Sequence, residues 1–203
     1  MSDTVNLKQL LRLFLVGLTV AFLHGCELPE AAKPFKSTNI TGIGTGKDFR
    51  LTDHHGQVRT LADFKGKVVI VFFGYTHCPD VCPTTLTELA LLIKQLGKSG
   101  EQVQVLFVTV DPSRDTPRLL AQYVPAFNPG FLGLYGDEAT TAKIAKDFHI
   151  FYQKQASADG KRYTVDHTAG TYVFDRSGRL RLFMRYGQDL ADVEHDVKII
   201  LSN

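Results

Sequence analysis

The 203-residue chain has no tryptophan, and 23 Lys+Arg against 21 Asp+Glu leave a formal charge of only +2. Nucleic-acid surfaces need clustered Lys and Arg, and single-strand binders need stacking platforms, so neither composition points to nucleic acid. Cysteine is scarce: Cys26, Cys78 and Cys82 are too few for a disulfide-stapled mini-protein. Leu13–Leu23 (LFLVGLTVAFL) is apolar for only 11 residues, against the roughly 20 that span a bilayer as a helix. What remains is the composition of an ordinary folded domain, 44% hydrophobic with 14 Phe and 7 Tyr for its core.

The run Leu13–Leu23 follows Lys8 and Arg12 and precedes Leu23-His24-Gly25-Cys26. Basic start, short apolar centre and small residue before a cut are the proportions of a signal peptide. The last four residues resemble a bacterial lipobox, which makes Cys26 the lipidation candidate, although His24 stands where a small residue is usual. The alternative is an uncleaved anchor. Either way the rest of the chain is expected outside a bacterial cell membrane, facing the periplasm and tethered by its N-terminus. Glu27–Gly46 is rich in Pro, Gly, Ser and Thr without apolar periodicity, and reads as a flexible linker reaching about 25 Å. The expected division is therefore 1–26 leader or anchor, 27–46 linker and 47–203 folded domain.

From Lys47 the chain alternates strand and helix patterns. Phe49–Leu51 and Gln57–Thr60 flank a turn. Lys67–Gly74 (KVVIVFFG) is a continuous apolar run, as expected of a strand buried on both faces, and Val103–Val110 (VQVLFVTV) reads as a second buried strand. Leu86–Leu96 has helical periodicity behind a capping box of Thr85 and Glu88, with Gly97 as its stop. Thr116–Tyr123 and Thr140–Phe148 read as further helices. Ala169–Phe174 and Arg179–Arg185 form a hairpin, and Leu190–Leu201 is a closing amphipathic helix. Alternation alone gives an α/β class; the order, with its terminal hairpin and helix, is that of a thioredoxin-like domain with an N-terminal hairpin extension.

The first buried strand runs into Gly74-Tyr75-Thr76-His77-Cys78-Pro79-Asp80-Val81-Cys82-Pro83. Chemistry in open α/β sheets collects beyond the carboxyl ends of strands. Cysteines four apart on a helical turn share a face, close enough to bridge, and a helix N-terminus favours their thiolates. The pair is a structural disulfide, a redox pair or a metal site. Two soft thiolates suit Cu(I), and such sites commonly add an imidazole. Among seven histidines, His24 belongs to the leader. His54, His55, His149 and His195 default to solvated surface, and His77 is expected to point away from Cys78. His167, in Val165-Asp166-His167-Thr168 before the terminal hairpin, is the candidate, though a lone loop histidine is more often solvated.

Gly74–Pro83 resembles the signature of the Sco (SenC) proteins. Val110-Asp111-Pro112-Ser113-Arg114-Asp115-Thr116-Pro117 resembles the family's second motif, and Val165–Thr168 its third. The resemblance covers about residues 47–203. It implies a thioredoxin fold holding one copper ion, Cu(I) or Cu(II), through Cys78, Cys82 and His167. It also implies a metallochaperone role, not an enzyme, in building the dinuclear copper centre of cytochrome c oxidase subunit II. Copper delivery and reduction of client cysteines are both family roles, and an upstream copper donor is a further implied partner. The Asp111–Pro117 motif is expected to support the site and to supply no ligand.

The rival reading is a membrane-tethered thiol–disulfide oxidoreductase. Such enzymes usually carry C-x-x-C and a cis-proline before the terminal hairpin. Here the spacing is C-x-x-x-C, and all eight prolines lie at or before Pro129. His167 stands where that proline would be. A structural zinc site would want four protein ligands, and three converge.

Overall fold

The structure, a computed structural model, describes residues 34–44, 46 and 48–202. The leader, Cys26 and the first part of the linker lie outside the described residues. Among those described, no helix is long and apolar enough to cross a membrane.

Among the described residues ten strands form in chain order: β1 Thr38–Asn39, β2 Arg50–Asp53, β3 Val58–Thr60, β4 Val68–Gly74, β5 Val103–Thr109, β6 Leu132–Tyr135, β7 Tyr152–Ala156, β8 Tyr163–His167, β9 Gly170–Phe174 and β10 Leu180–Arg185. The helices are α1 Val81–Leu96, α2 Pro117–Tyr123, α3 Glu138–Asp147 and α4 Leu190–Ser202. Eight strands make one mixed sheet, ordered β1-β10-β9-β4-β5-β6-β2-β3, and β7 pairs with β8 in a separate antiparallel ribbon. A central mixed sheet flanked by helices is the thioredoxin-like arrangement expected.

The two buried strands expected from the sequence form the centre of that sheet. All seven residues of β4 are buried, and β4 pairs in parallel with β5 from Val68↔Val103 to Gly74↔Thr109. Water is excluded from both faces, so a strand of alternating polarity would have to bury polar groups there. On its other side β4 pairs antiparallel with β9. The carboxyl ends of β4 and β5 are thus adjacent, joined at the tip by the Val110 N–H donating to the Gly74 carbonyl at 2.9 Å.

Helix α1 starts at Val81, earlier than the periodicity indicates, and stops at Gly97 in the left-handed region (φ 56°) as expected. The Thr85–Glu88 capping box does not form; the Thr85 hydroxyl donates back to the Val81 carbonyl at 2.8 Å. Asp137 caps α3 and Thr116 caps α2, both through their side chains.

Residues from Phe35 onward belong to the compact unit, so the second part of the expected linker is built into it. Asp196 is fully buried on α4, and it accepts the backbone N–H groups of Lys36 at 2.9 Å and Ser37 at 2.7 Å. β1 then adds to the edge of β10, with Thr38 opposite Phe183. These are backbone bonds, which leave no trace in side-chain periodicity.

Candidate metal centre

The chain leaves β4 through Tyr75, Thr76 and His77, and the Cys78 N–H turns back to the Tyr75 carbonyl at 3.2 Å. Helix α1 follows, with Asp80 at its N-cap position but no side-chain cap bond. A sulfur takes that place: the Cys82 N–H donates to Cys78 Sγ at 3.4 Å. Cys78 is half-buried and Cys82 buried, and both are free thiols. His167 is the last residue of β8. Its Nε2 lies 3.5 Å from Cys82 Sγ, and the three ligand atoms all fall within 4.8 Å of one another. Sequence positions 85 apart thereby meet at one point.

Space for this convergence comes from Gly74, where a Cβ would lie 2.9 Å from Cys82 Sγ and 2.8 Å from the Phe107 ring. The His167 ring sits edge-on to Tyr75 (5.9 Å between centroids) and to Phe72 (6.3 Å). Its Nδ1 lies 3.1 Å from the Thr168 carbonyl. A carbonyl only accepts, so Nδ1 carries a proton, which leaves Nε2 as the nitrogen free to ligate a metal.

The two sulfurs are electrically unequal. A hydrogen bond from the Cys82 thiol, set against partial burial and aided by His167 and the backbone at Asp80 and Cys82, holds Cys78 down to about 3. Sharing that proton with Cys78, together with its own burial, pushes Cys82 up. Before a metal arrives, the pair is one thiolate, at Cys78, and one thiol, at Cys82.

The second motif supports this loop as expected. Asp115 is buried and accepts the Thr76 N–H at 3.0 Å, the Thr76 hydroxyl at 2.6 Å and the Thr109 hydroxyl at 2.6 Å. It therefore binds the turn before Cys78 to the end of β5. Asp111 is also fully buried and pairs with Arg114. Among the described residues no carboxylate joins this group. Two sulfurs and one imidazole are a soft set, the kind copper takes and magnesium or calcium does not.

Of the other histidines, His77 is exposed and turned to the Thr76 hydroxyl, 3.1 Å away, and not to the sulfurs. His54 differs from its expected place on the surface. It is buried, 8% exposed, and its Nδ1 accepts the Gly133 N–H at 2.9 Å. The turn packs it against β6, where an imidazole satisfies a backbone donor that an apolar side chain would leave unpaired. Sequence reasoning does not pick out Tyr163, which contacts Asp111, Ser113 and Arg114 of the second motif without belonging to any motif.

A profile of the SCO1/SenC family matches residues 38–202. The chain is 41% identical over 138 residues to the mitochondrial SCO2 homologue of Bos taurus, an alignment covering 67% of this chain and 52% of that one. The chain thus spans about half the length of that relative. It is also similar to the structure of Bradyrhizobium japonicum ScoI with copper bound: 40% identity, a TM-score of 0.69, and coverage of 76% of this chain and 98% of the other. Apo Sco1 of Thermus thermophilus gives 40% identity and a TM-score of 0.70, over 82% of this chain and 95% of that one. With the fold, the three motifs and these likenesses in agreement, the chain belongs to the SCO1/SenC family.

Proposed function

We propose that the protein is a copper-carrying assembly factor that holds one copper ion through Cys78, Cys82 and His167 and passes it to a client, cytochrome c oxidase subunit II. The observation that carries this reading is the meeting of two sulfurs and one imidazole nitrogen within 4.8 Å. Binding displaces the remaining proton of the cysteine pair. Cu(I) accepts low coordination, which leaves a position for a client ligand, so the ion can move by stepwise ligand exchange without becoming free. The N-terminal leader, with Cys26 as the lipid attachment point, would keep the domain at the outer face of a bacterial cell membrane, where such a client resides.

The free pair also supports a second reading. A Cys78 thiolate beside a Cys82 thiol is the arrangement of an attacking and a resolving cysteine. Cys78 would attack a client disulfide to form a mixed disulfide. Cys82 would then displace the client as a dithiol, leaving the Cys78–Cys82 disulfide behind.

Copper titration of the reduced chain separates the two. On the copper reading, one ion binds at the site, Cys78→Ser and Cys82→Ser abolish that binding, and His167→Ala weakens Cu(II) far more than Cu(I). Equal copper binding with and without His167 would detach it from the metal and favour the thiol–disulfide reading, to be checked by exchange with a client peptide.

A further inference from the structure

The ribbon β7–β8 that ends in His167 stands outside the main sheet. Two strands alone are marginally stable, and of its ten residues only Val165 is buried. Where His167 sits is therefore decided by whatever grips the ribbon. One grip is near the ligand: the Phe151 N–H donates to the Thr168 hydroxyl at 3.0 Å. The other is at the opposite end of β8. There the Arg114 guanidinium lies 3.5 Å from the centroid of the Tyr163 ring, and its Nη1 donates to the Tyr163 carbonyl at 2.8 Å. The Tyr163 hydroxyl donates to Asp111 Oδ1 at 2.9 Å. From the neighbouring strand β7, Lys154 reaches the Ser113 hydroxyl at 3.3 Å.

Arg114 is itself fixed by its ion pair with Asp111, just beyond the end of β5. β5 is the parallel partner of the strand that launches the cysteines. The same guanidinium lies 5.6 Å from the Tyr75 ring, which in turn meets the His167 ring edge-on. Among the described residues its Nη2 is buried without a hydrogen-bond partner, so the group is placed for its plane against Tyr163 more than for full hydrogen bonding.

From these contacts we infer that Arg114, acting through Tyr163, is the positioning residue for His167: it sets where along the sheet end the imidazole meets the two sulfurs. The inference rests on the copper-site reading above. Arg114 touches neither the metal nor its ligands; it fixes the strand four residues upstream, about 13 Å along an extended chain.

The test is the full chain, reduced, titrated with Cu(I) and Cu(II) as Arg114→Gln and Tyr163→Leu, each alone and combined with His167→Ala. Tyr163→Leu leaves the Arg114–Asp111 pair in place and serves where Arg114→Gln does not fold. Groups that orient a metal-ligating histidine are worth about 10–100-fold in affinity. We expect Cu(II) affinity to fall by about tenfold or more, Cu(I) affinity to stay within about twofold, and the nitrogen splitting in the Cu(II) EPR spectrum to change towards that of His167→Ala. In the His167→Ala background the same substitutions should add nothing. Equal losses for both oxidation states, or a loss that persists without His167, would reduce Arg114 to general support and overturn the inference. A chain responding to His167→Ala but not to Arg114→Gln or Tyr163→Leu overturns it while the site reading stands. Indifference to His167→Ala itself overturns both.

Discussion

At the scale of single residues, the asymmetry of the cysteine pair has a direct chemical readout. Cys78 is half-buried and already a thiolate far below neutral pH, whereas Cys82 is buried and protonated. An ordinary thiol, with a pKa near 8.5, alkylates about a thousandfold faster at pH 8 than at pH 5. Cys78 should instead label with iodoacetamide at nearly the same rate across that range, Cys82 should label slowly, and Cys78→Ser should remove the fast phase. Peptide mass spectrometry after timed quenching measures this; a rate that climbs with hydroxide would make Cys78 an ordinary thiol. The proposed ligand residues were legible in the sequence because three short motifs occur in a recognisable order. Arg114 was legible only as a member of the second motif, expected to support the site without supplying a ligand. Its contact with Tyr163 spans 49 positions, and no spacing rule connects an arginine to a tyrosine at that range.

At the scale of elements, the turn between β9 and β10 concentrates stabilising charge. Burial acts to raise the Asp175 carboxyl, but the Ser177 hydroxyl, the Arg179 and Ser177 amides and the Arg181 guanidinium outweigh it and hold it down to about 2. A carboxyl depressed in the folded state stabilises the protein above its unfolded pKa, and that contribution is lost as pH falls through the folded value. Asp175→Asn should therefore cost about 2 kcal/mol at pH 7. The gap from the parent should close between about pH 4 and about pH 2. Urea unfolding at a series of pH values checks it, and a gap that is flat down to pH 2 would remove the charge explanation. Elements are legible where one or both faces are buried: β4 and β5 carry nearly unbroken apolar runs, and the body of α1 a periodic one. The ribbon β7–β8 was missed because Tyr-Gln-Lys-Gln-Ala and Tyr-Thr-Val-Asp-His offer one buried position between them. The start of α1 ahead of Leu86 carries no apolar periodicity and shows in the sequence only through the cysteine–proline turn, and its N-terminus is satisfied by a cysteine sulfur, a cap that residue preferences do not rank.

At the scale of the whole molecule, the boundary drawn at Lys47 cuts through the folded unit, because Lys36 and Ser37 supply donors to a carboxylate with no access to water. A chain beginning at Lys47 leaves Asp196 buried with only the His195 ring, 3.0 Å away, among these partners. Against a chain beginning at Pro34 it should lose about 2–4 kcal/mol of unfolding free energy, the cost of stranding a buried charge. Equal denaturation midpoints for the two would mean that Asp196 is solvated or neutral in the shorter chain.

The two-residue strand β1 has a consequence for how copies of the protein meet one another. It occupies the outer side of β10 at the end of an eight-stranded sheet, and the opposite edge is β3, only three residues long. Short, polar edges are poor templates for adding another chain. Without β1, the six residues Leu180–Arg185 would present unpaired N–H and carbonyl groups beside apolar side chains. If the proposed N-terminal anchor holds copies close together on one surface, the residues read as a spacer would also serve as a guard against sheet-to-sheet association.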